Sequence, residues 1–589
     1  ITAKEGVEPL MRAIALNDGI SKKDVYDNMG LIMGQLDFIG EGESIATGDA
    51  RVPIEEFLRR MEVLTDLVAD SRFENVFMPL FGITAKTGTE PLMRRIALND
   101  GIPKQDVYDN MGLIMGQLDF IGEGESIATG DKRFTVDEFL SRMEVLRDLV
   151  KDPRFENVFM ALFGITAQVG SEPLMRRIAL NDGIPKQDVY DNMGLIMGQL
   201  DFIGEGASIA TGDPRISVGE FLRRMEVLRD LVKDPRFENV FMVLFGITAK
   251  AGSEPLMRRI ALNTDIPKKD VYDNMGLIMG QLDFIGVGKS IATGDKRMSP
   301  SEFLDLMDTL KLWIDKYSWS FYEYARLLGV NTDAPVEGPV MRRIALNPEE
   351  PKKENAALDM GIIFGQAKFL VEANPDLTAY EITFATFTRI LPIVEEIVMH
   401  PKFEAVFCKV FGIETGGKQG IGKEGVLRYF AKQKDYEATG AVFGIAQYIG
   451  VGLEYMSVDE LMEILEKVLL LSGDPRVQRL LNGGFAFKNL KNFDAFNQLA
   501  EIAKSVDNYY DYIDRADIML LLLDFINEYY KGTIDLANGE DRARLEFFAS
   551  EILRGVMTLD EARQKFKIMS ALRNEMFNPD GSVKAAYAI

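Results

Sequence analysis

The chain has 589 residues, 47% apolar and 27% charged, with 91 acidic against 67 basic side chains and a net charge of −24. That length exceeds what a single hydrophobic core organises, so several domains or a repeat array are expected. The acidic excess, with no block of basic residues, argues against a phosphate backbone as partner, and no nucleic-acid binding is expected.

One cysteine, Cys408, excludes an internal disulfide framework and fits a reducing compartment or a virus-like particle. The longest strongly apolar run, Ile518 to Leu523, is too short to cross a bilayer, so no membrane insertion is expected. The opening Ile1-Thr2-Ala3-Lys4 matches Ile83-Thr84-Ala85-Lys86, which follows Phe81-Gly82. That match predicts a cut through an array, with further modules or a processed segment upstream.

Taken in chain order, the dominant signal is a pair of glycines four residues apart inside an apolar helical pattern. It recurs as Gly30/Gly34, Gly112/Gly116, Gly194/Gly198, Gly276/Gly280, Gly361/Gly365 and Gly440/Gly444, at spacings of 82, 82, 82, 85 and 79 residues. The period divides the chain into helical repeats 1–82, 83–164, 165–246 and 247–329, divergent repeats 330–412 and 413–485, and a helical C-terminal cap, 486–589. Glycine costs about 1 kcal/mol against alanine inside a helix, so its recurrence predicts close approach of a neighbouring helix. The alternative of a membrane-helix contact is excluded by Asp106, Asp109, Asn110, Gln117 and Asp119 on the same helix.

The second repeat shows the plan. Thr89-Glu90-Pro91 opens a short helix, Leu92 to Leu98, that stops at Asn99-Asp100-Gly101. A second helix runs from Pro103 to about Ile121 with Val107, Met111, Ile114/Met115, Leu118 and Ile121 on a buried stripe. The loop 123–133 follows. A third helix begins at the capping box Thr135/Glu138, which reappears as Ser217/Glu220, Ser299/Glu302, Thr378/Glu381 and Ser457/Glu460. It faces inward with Phe139, Leu140, Met143, Leu146, Leu149 and Val150. A fourth helix starts at Asp152-Pro153, buries Phe155, Val158, Phe159, Leu162 and Phe163, and ends at Gly164. Four helices with no strand alternation predict an all-α module. Stacked as a solenoid or as beads, each advancing something like 20 Å, six such modules make a rod over roughly 100 Å long.

Three groups of residues invite a functional reading. Asp119, Glu123, Glu125 and Asp131 form an oxygen-rich interhelical loop of the kind that holds calcium. Against this, Asp119 and Glu138 lie too far apart for a helix-loop-helix calcium site, and Glu125 becomes Ala207 and Lys289 in later copies. The arginine pairs Arg94/Arg95, Arg176/Arg177, Arg258/Arg259 and Arg342/Arg343 read as intermodule ion pairs or as a row of docking points for an acidic partner. His400, the only histidine, falls at a helix start, and Cys408 falls on a buried stripe. With one of each, no Cys/His pair or histidine metal cluster can recur.

The expected function is therefore a non-enzymatic scaffold without a cofactor, presenting equivalent protein-binding surfaces to repeated partners or to copies of itself within a filament, cellular scaffold or virion. Two alternatives remain: a calcium- or ligand-binding repeat protein using the acidic loops, and an enzyme with its site in 486–589.

Overall fold

The computed structural model describes residues 1–6, 9–348, 353–372, 381–451 and 456–472, and beyond these only 521, 543, 545–547, 550, 551, 557–576, 584 and 586. Most of the C-terminal cap expected at 486–589 therefore lies outside the described residues, as do Thr378 and Asp474-Pro475-Arg476, which repeats the Asp152-Pro153-Arg154 start of a fourth helix. The described chain is mostly helical and divides into two compact units. One comprises Ile1–Ala325 with Val330–Phe384, the other Arg326–Gly329 with Ala385–Ile589.

In the first unit the same succession of elements returns at 82-residue intervals. The first helix is Leu92–Ala97, closed by the Asn99 side chain, which accepts from the Gly101 amide at 3.1 Å. Its proline stands at the N-cap and no side chain caps it, because Pro91 itself enters the turn. The second helix is Lys104–Gln117, tightening into a 3-10 turn at Leu118–Phe120. Of the expected stripe Val107 is only half-buried and the rest is interior, and Asn110, Leu113 and Gln117 are interior as well. The third helix, Val136–Leu149, starts where the Thr135 hydroxyl accepts from the Glu138 amide, and it buries Phe139, Leu140, Met143, Leu146 and Leu149.

The fourth helix departs from expectation in its winding. Phe155–Met160 is a π-helix that tightens into α only at Ala161–Phe163, and Phe73–Phe77, Phe237–Met242 and Phe403–Cys408 repeat the pattern. Phe155 stacks on Phe159 at 5.1 Å and Phe159 lies 4.8 Å from Phe163, a ladder of rings entirely inside the core. The ladder continues into the next repeat, where Phe221 approaches Phe159 at 6.0 Å.

Contacts reach two repeats ahead as well as one. The helix ending at Gly82 takes φ +63° there, and a Cβ on that residue would lie 3.1 Å from the ring of Pro173, which starts the first helix of the third repeat. Only glycine suits both that backbone and that proximity. Gly164 with Pro255 repeats the arrangement.

The fourth repeat abandons the π-turn. Its third helix, Pro300–Lys316, is followed by an ordinary α-helix, Ser318–Leu327, and Trp313 is buried with its indole N–H donating to Ser320 Oγ at 3.0 Å. A two-stranded parallel ribbon, Leu370–Val371 with Ile382–Thr383, and isolated bridges such as Ile121 with Phe134 add a little strand to the helical class. In the second unit, His400 Nδ1 accepts from the Lys402 amide at 3.1 Å, which leaves the proton on Nε2 to meet Asp459 Oδ1 at 3.0 Å. The histidine thus ties a helix end to Val458–Ser472. Cys408 is buried and its thiol is pushed up to about 12, by desolvation and then by Glu404.

Candidate functional site: the loop seam between repeats

Each loop after the second helix is organised from beneath by one carboxylate. Asp119 is almost wholly buried at the end of the second helix and turns back under its own loop. It accepts from Ser126 Oγ at 2.5 Å, from the Ile127 amide at 3.1 Å and from the Ala128 amide at 3.0 Å. The preceding repeat supplies Arg60, which donates to Asp119 Oδ1 at 2.8 Å and to the Met115 carbonyl at 2.9 Å. Arg133, from the loop's far end, donates to the Asp119 carbonyl at 3.0 Å and to Glu56 Oε1 at 3.0 Å. Glu56 also accepts from Arg59 and Arg60.

Electrostatics follow from this crowding. Burial opposes the charged form of Asp119, but the Ser126 hydroxyl, the Ala128 amide, the Arg60 charge and the Ile127 amide together outweigh it and hold the carboxyl below its ordinary range. Glu56 behaves alike: desolvation is opposed by Arg59 and Arg60, which bring it down to about 2. The same unit recurs as Glu138/Arg142/Asp201/Arg215 and Glu220/Arg224/Asp283/Arg297. A fully hydrogen-bonded ion cluster of this type fixes register between elements.

The cluster corrects the local reading of the third-helix caps. Only the amide half of the box forms at Thr135/Glu138 and Ser217/Glu220, because both glutamates turn to arginines instead. At the fourth repeat the arginine position is occupied by Leu306 and the next repeat's aspartate position by Lys368. Glu302, released from the cluster, completes the box by accepting from the Ser299 amide at 2.7 Å.

The oxygen-rich loop is accordingly filled from within. Both Asp119 oxygens are taken by donors of this chain, and Asp131 receives Lys268 at 2.9 Å and the Tyr272 hydroxyl at 2.5 Å from the repeat two ahead. Glu123 and Glu125 are exposed on the loop above. Among the described residues no group of three or more acidic, histidine or cysteine side chains is placed to hold a metal. No described helix is long and apolar enough to cross a membrane. An active site within 486–589 would fall almost wholly on residues outside the description.

The arginine pairs also turn inward. The first of each pair bridges to the preceding repeat: Arg94 to Asn28, Arg176 to Asn110, Arg258 to Asn192 and Arg342 to Asn274, all at 2.7 to 2.8 Å. Arg176 reaches on to the Phe81 carbonyl at 3.4 Å. The second member closes its own loop: Arg95 donates to the Glu90 and Lys86 carbonyls, Arg177 to Glu172 and Gln168, and Arg259 to Glu254 and Lys250. Arg343 lies 3.5 Å from Asp333. The first members therefore bond between repeats, with Arg258 and Arg342 also 3.7 and 3.5 Å from Asp188 and Asp270 of the repeat before, and the second members bond chiefly within their own loops.

The glycines divide by position. A Cβ at Gly112, Gly194, Gly276 or Gly361 would meet the methyl of Thr47, Thr129, Thr211 or Thr293 from the preceding loop, at 3.0, 2.8, 3.1 and 3.1 Å. At Gly116, Gly198, Gly280 and Gly365, and at Gly30, Gly34, Gly440 and Gly444, it would meet nothing within 4 Å. Close approach therefore explains the first glycine of the four central pairs and not the second. Gly198 instead borders a cavity of about 450 Å³ with Gly194, Gln199, Lys268 and Tyr272 on its walls.

What sequence reasoning did not single out is the residue displayed on this pinned loop. Ile127 is 61% exposed, although its own amide is tied to Asp119, and Ile45, Ile209 and Ile291 stand out in the same way. The signal was present in the unchanged Ser-Ile-Ala-Thr-Gly-Asp motif, whose apolar member has no helical stripe to join. No protein-family model, no curated protein and no solved structure matches this chain.

Proposed function

We propose that the chain is a non-enzymatic scaffold: a tandem array of about six helical modules near 82 residues long that offers equivalent protein-binding points at regular sequence steps inside a large assembly. Its partners are repeated proteins or copies of itself. The observation that carries this reading is the exposed isoleucine at positions 45, 127, 209 and 291, held on loops that half-buried Asp37 and buried Asp119, Asp201 and Asp283 fix from below. A single exposed isoleucine is unremarkable on any surface. An isoleucine on a loop already locked by charged hydrogen bonds docks without paying loop-ordering entropy, and four copies multiply weak contacts into avidity. Its neighbours vary as Glu43, Glu125, Ala207 and Lys289, which alters local charge around a constant apolar point.

The test is cross-linking in the native assembly, followed by counting partner copies per chain. More than one partner per chain is expected, with cross-links clustered at the four loops. Replacing all four isoleucines by aspartate should abolish these links and leave the melting temperature nearly unchanged, since exposed substitutions shift stability by about 0.5 kcal/mol or less. A chain that remains monomeric and partner-free in its native setting refutes the scaffold reading.

A further inference from the structure

The first repeat carries on its leading side the face that later repeats bury against their predecessors. Met33 is 61% exposed, whereas its counterparts Met115, Met197 and Met279 are 1 to 3% exposed. Leu58 is 57% exposed, while Leu140, Leu222 and Leu304 are at most 2% exposed. The change is graded where two predecessors contribute: Met11 is exposed, Met93 half-buried and Met175 fully buried. Large apolar side chains left exposed at positions that the later repeats bury mark an interaction site.

The polar groups on this face are arranged in the same manner. Asp37 already accepts from Ser44, Ile45, Ala46 and Arg51, which is the loop-pinning half of the seam, and it has no arginine from a preceding third helix. Arg51 turns back to Asp37 at 2.9 Å, while its counterpart Arg133 reaches Glu56 of the repeat before it. Gly30 faces open space where Gly112 receives a threonine methyl.

We infer that the leading face of residues 1–82 docks another 82-residue module of this same kind, one that presents a third helix bearing the Glu-x-x-x-Arg pair of Glu56 and Arg60, a loop threonine equivalent to Thr47, and a phenylalanine-rich fourth helix. The occupant is identified by continuity with the established seams: Asp37, Arg51 and Gly30 have counterparts in Asp119, Arg133 and Gly112, whose partners Arg60, Glu56 and Thr47 are known by residue and distance. A face-to-face pair of two copies does not supply that arginine, because the third-helix arginines Arg60, Arg142 and Arg224 are all engaged in seams of their own chain. This face is separate from the loop tips, and the inference does not depend on what those tips bind.

The experiment extends the full chain by fusing a copy of the sequence 83–164 ahead of Ile1, which recreates the Phe163-Gly164-Ile165-Thr166 junction as Phe-Gly-Ile1-Thr2. Hydrogen exchange is measured on the second helix, Lys22–Leu36, in both proteins. The expected result is a rise in helical signal proportionate to one more repeat, with exchange of that helix slowed at least tenfold toward the rates of Lys104–Gln117. Met33→Lys with Leu58→Lys in the extended chain should restore the faster exchange. No gain in helical signal, or a gain without protection of Lys22–Leu36, overturns the inference. So does protection of that helix in the unextended chain that grows with protein concentration, which would identify a second copy as the occupant.

Discussion

Replacing each glycine of one pair by alanine separates packing from propensity within a single helix, Lys186–Gln199. Alanine gains up to about 1 kcal/mol over glycine in a helix interior, and somewhat less near the helix end. At Gly198 a new methyl meets no heavy atom within 4 Å, so Gly198→Ala keeps that gain and stabilises by up to about 1 kcal/mol. At Gly194 the methyl would sit 2.8 Å from Thr129 Cγ2, well inside ordinary carbon contact. Threonine is stiff about its Cα–Cβ bond and cannot swing aside freely. Overpacking of this kind costs about 1–3 kcal/mol, so Gly194→Ala is neutral at best and destabilises by about 2 kcal/mol at worst. A chain of several units does not unfold in one step, so native-state hydrogen exchange along 186–199 is the proper assay. Gly198→Ala should slow exchange up to about fivefold and Gly194→Ala should accelerate it up to about thirtyfold. Equal slowing by both substitutions would refute the close approach at the first glycine, and acceleration by Gly198→Ala would refute the open space at the second.

Two further outcomes test the seam. Arg142→Met keeps an apolar stem but leaves Asp201, Glu138 and the Met197 carbonyl without their shared donor. Arg215 still faces Asp201 at 3.3 Å, so the cost should lie near the low end for a broken buried pair, about 3 kcal/mol, read as faster exchange in 136–149 and 186–199. Arg154→Met, which removes a half-buried pair with Asp152 and a 3.4 Å contact with the more exposed Glu226 but leaves no buried charge behind, should cost less than about 1 kcal/mol; equal effects would deny the seam its role. Acid provides the other outcome: Glu56 is lowered from 4.5 to about 2, and Asp119, Asp201, Asp283 and Glu220 are lowered in the same sense. A depressed carboxyl contributes stability above its unfolded pKa and loses it as pH falls through the folded one. Melting temperature should hold down to about pH 5 and fall steeply toward pH 2, and a flat profile across that window would contradict the cluster.

The legible part of this molecule was the part that a single repeat determines alone. The short helix stopped by Asn99, the apolar face of Val136–Leu149 and the hydroxyl cap at Thr135 each depend on residues within one or two turns. The part that escaped depends on residues 55 to 77 positions away: Glu138 leaves its box for Arg215, Arg176 takes Asn110 as its intermodule partner where a carboxylate was the expected kind, and Arg142 is buried inside an otherwise apolar face. None of these partners lies within the window in which helical periodicity is read. The π-helical winding of Phe155–Met160 also escaped, since its burial pattern matches that of an α-helix over six residues. The second glycine of each pair looked equivalent to the first because both fit one small-residue spacing, and only the position of a threonine on another repeat tells them apart.

The contact between Asp131 and Lys268, like that between Asp49 and Lys186, spans 137 residues and skips one repeat entirely. Its two ends are nevertheless copies of standard positions, as are those of the 59-residue pair Arg60 and Asp119. Excising one whole 82-residue unit from among the near-identical repeats would therefore bring together side chains of the same types at the same separations. Duplicating one would do likewise. An insertion of even a few residues within a unit shifts its seam on both sides and has no such compensation. The bonding among the near-identical repeats is thus neutral to their number and intolerant of any change in their length, which allows such a stretch to grow or shrink by recombination in whole steps while the junctions within it keep the same bonds.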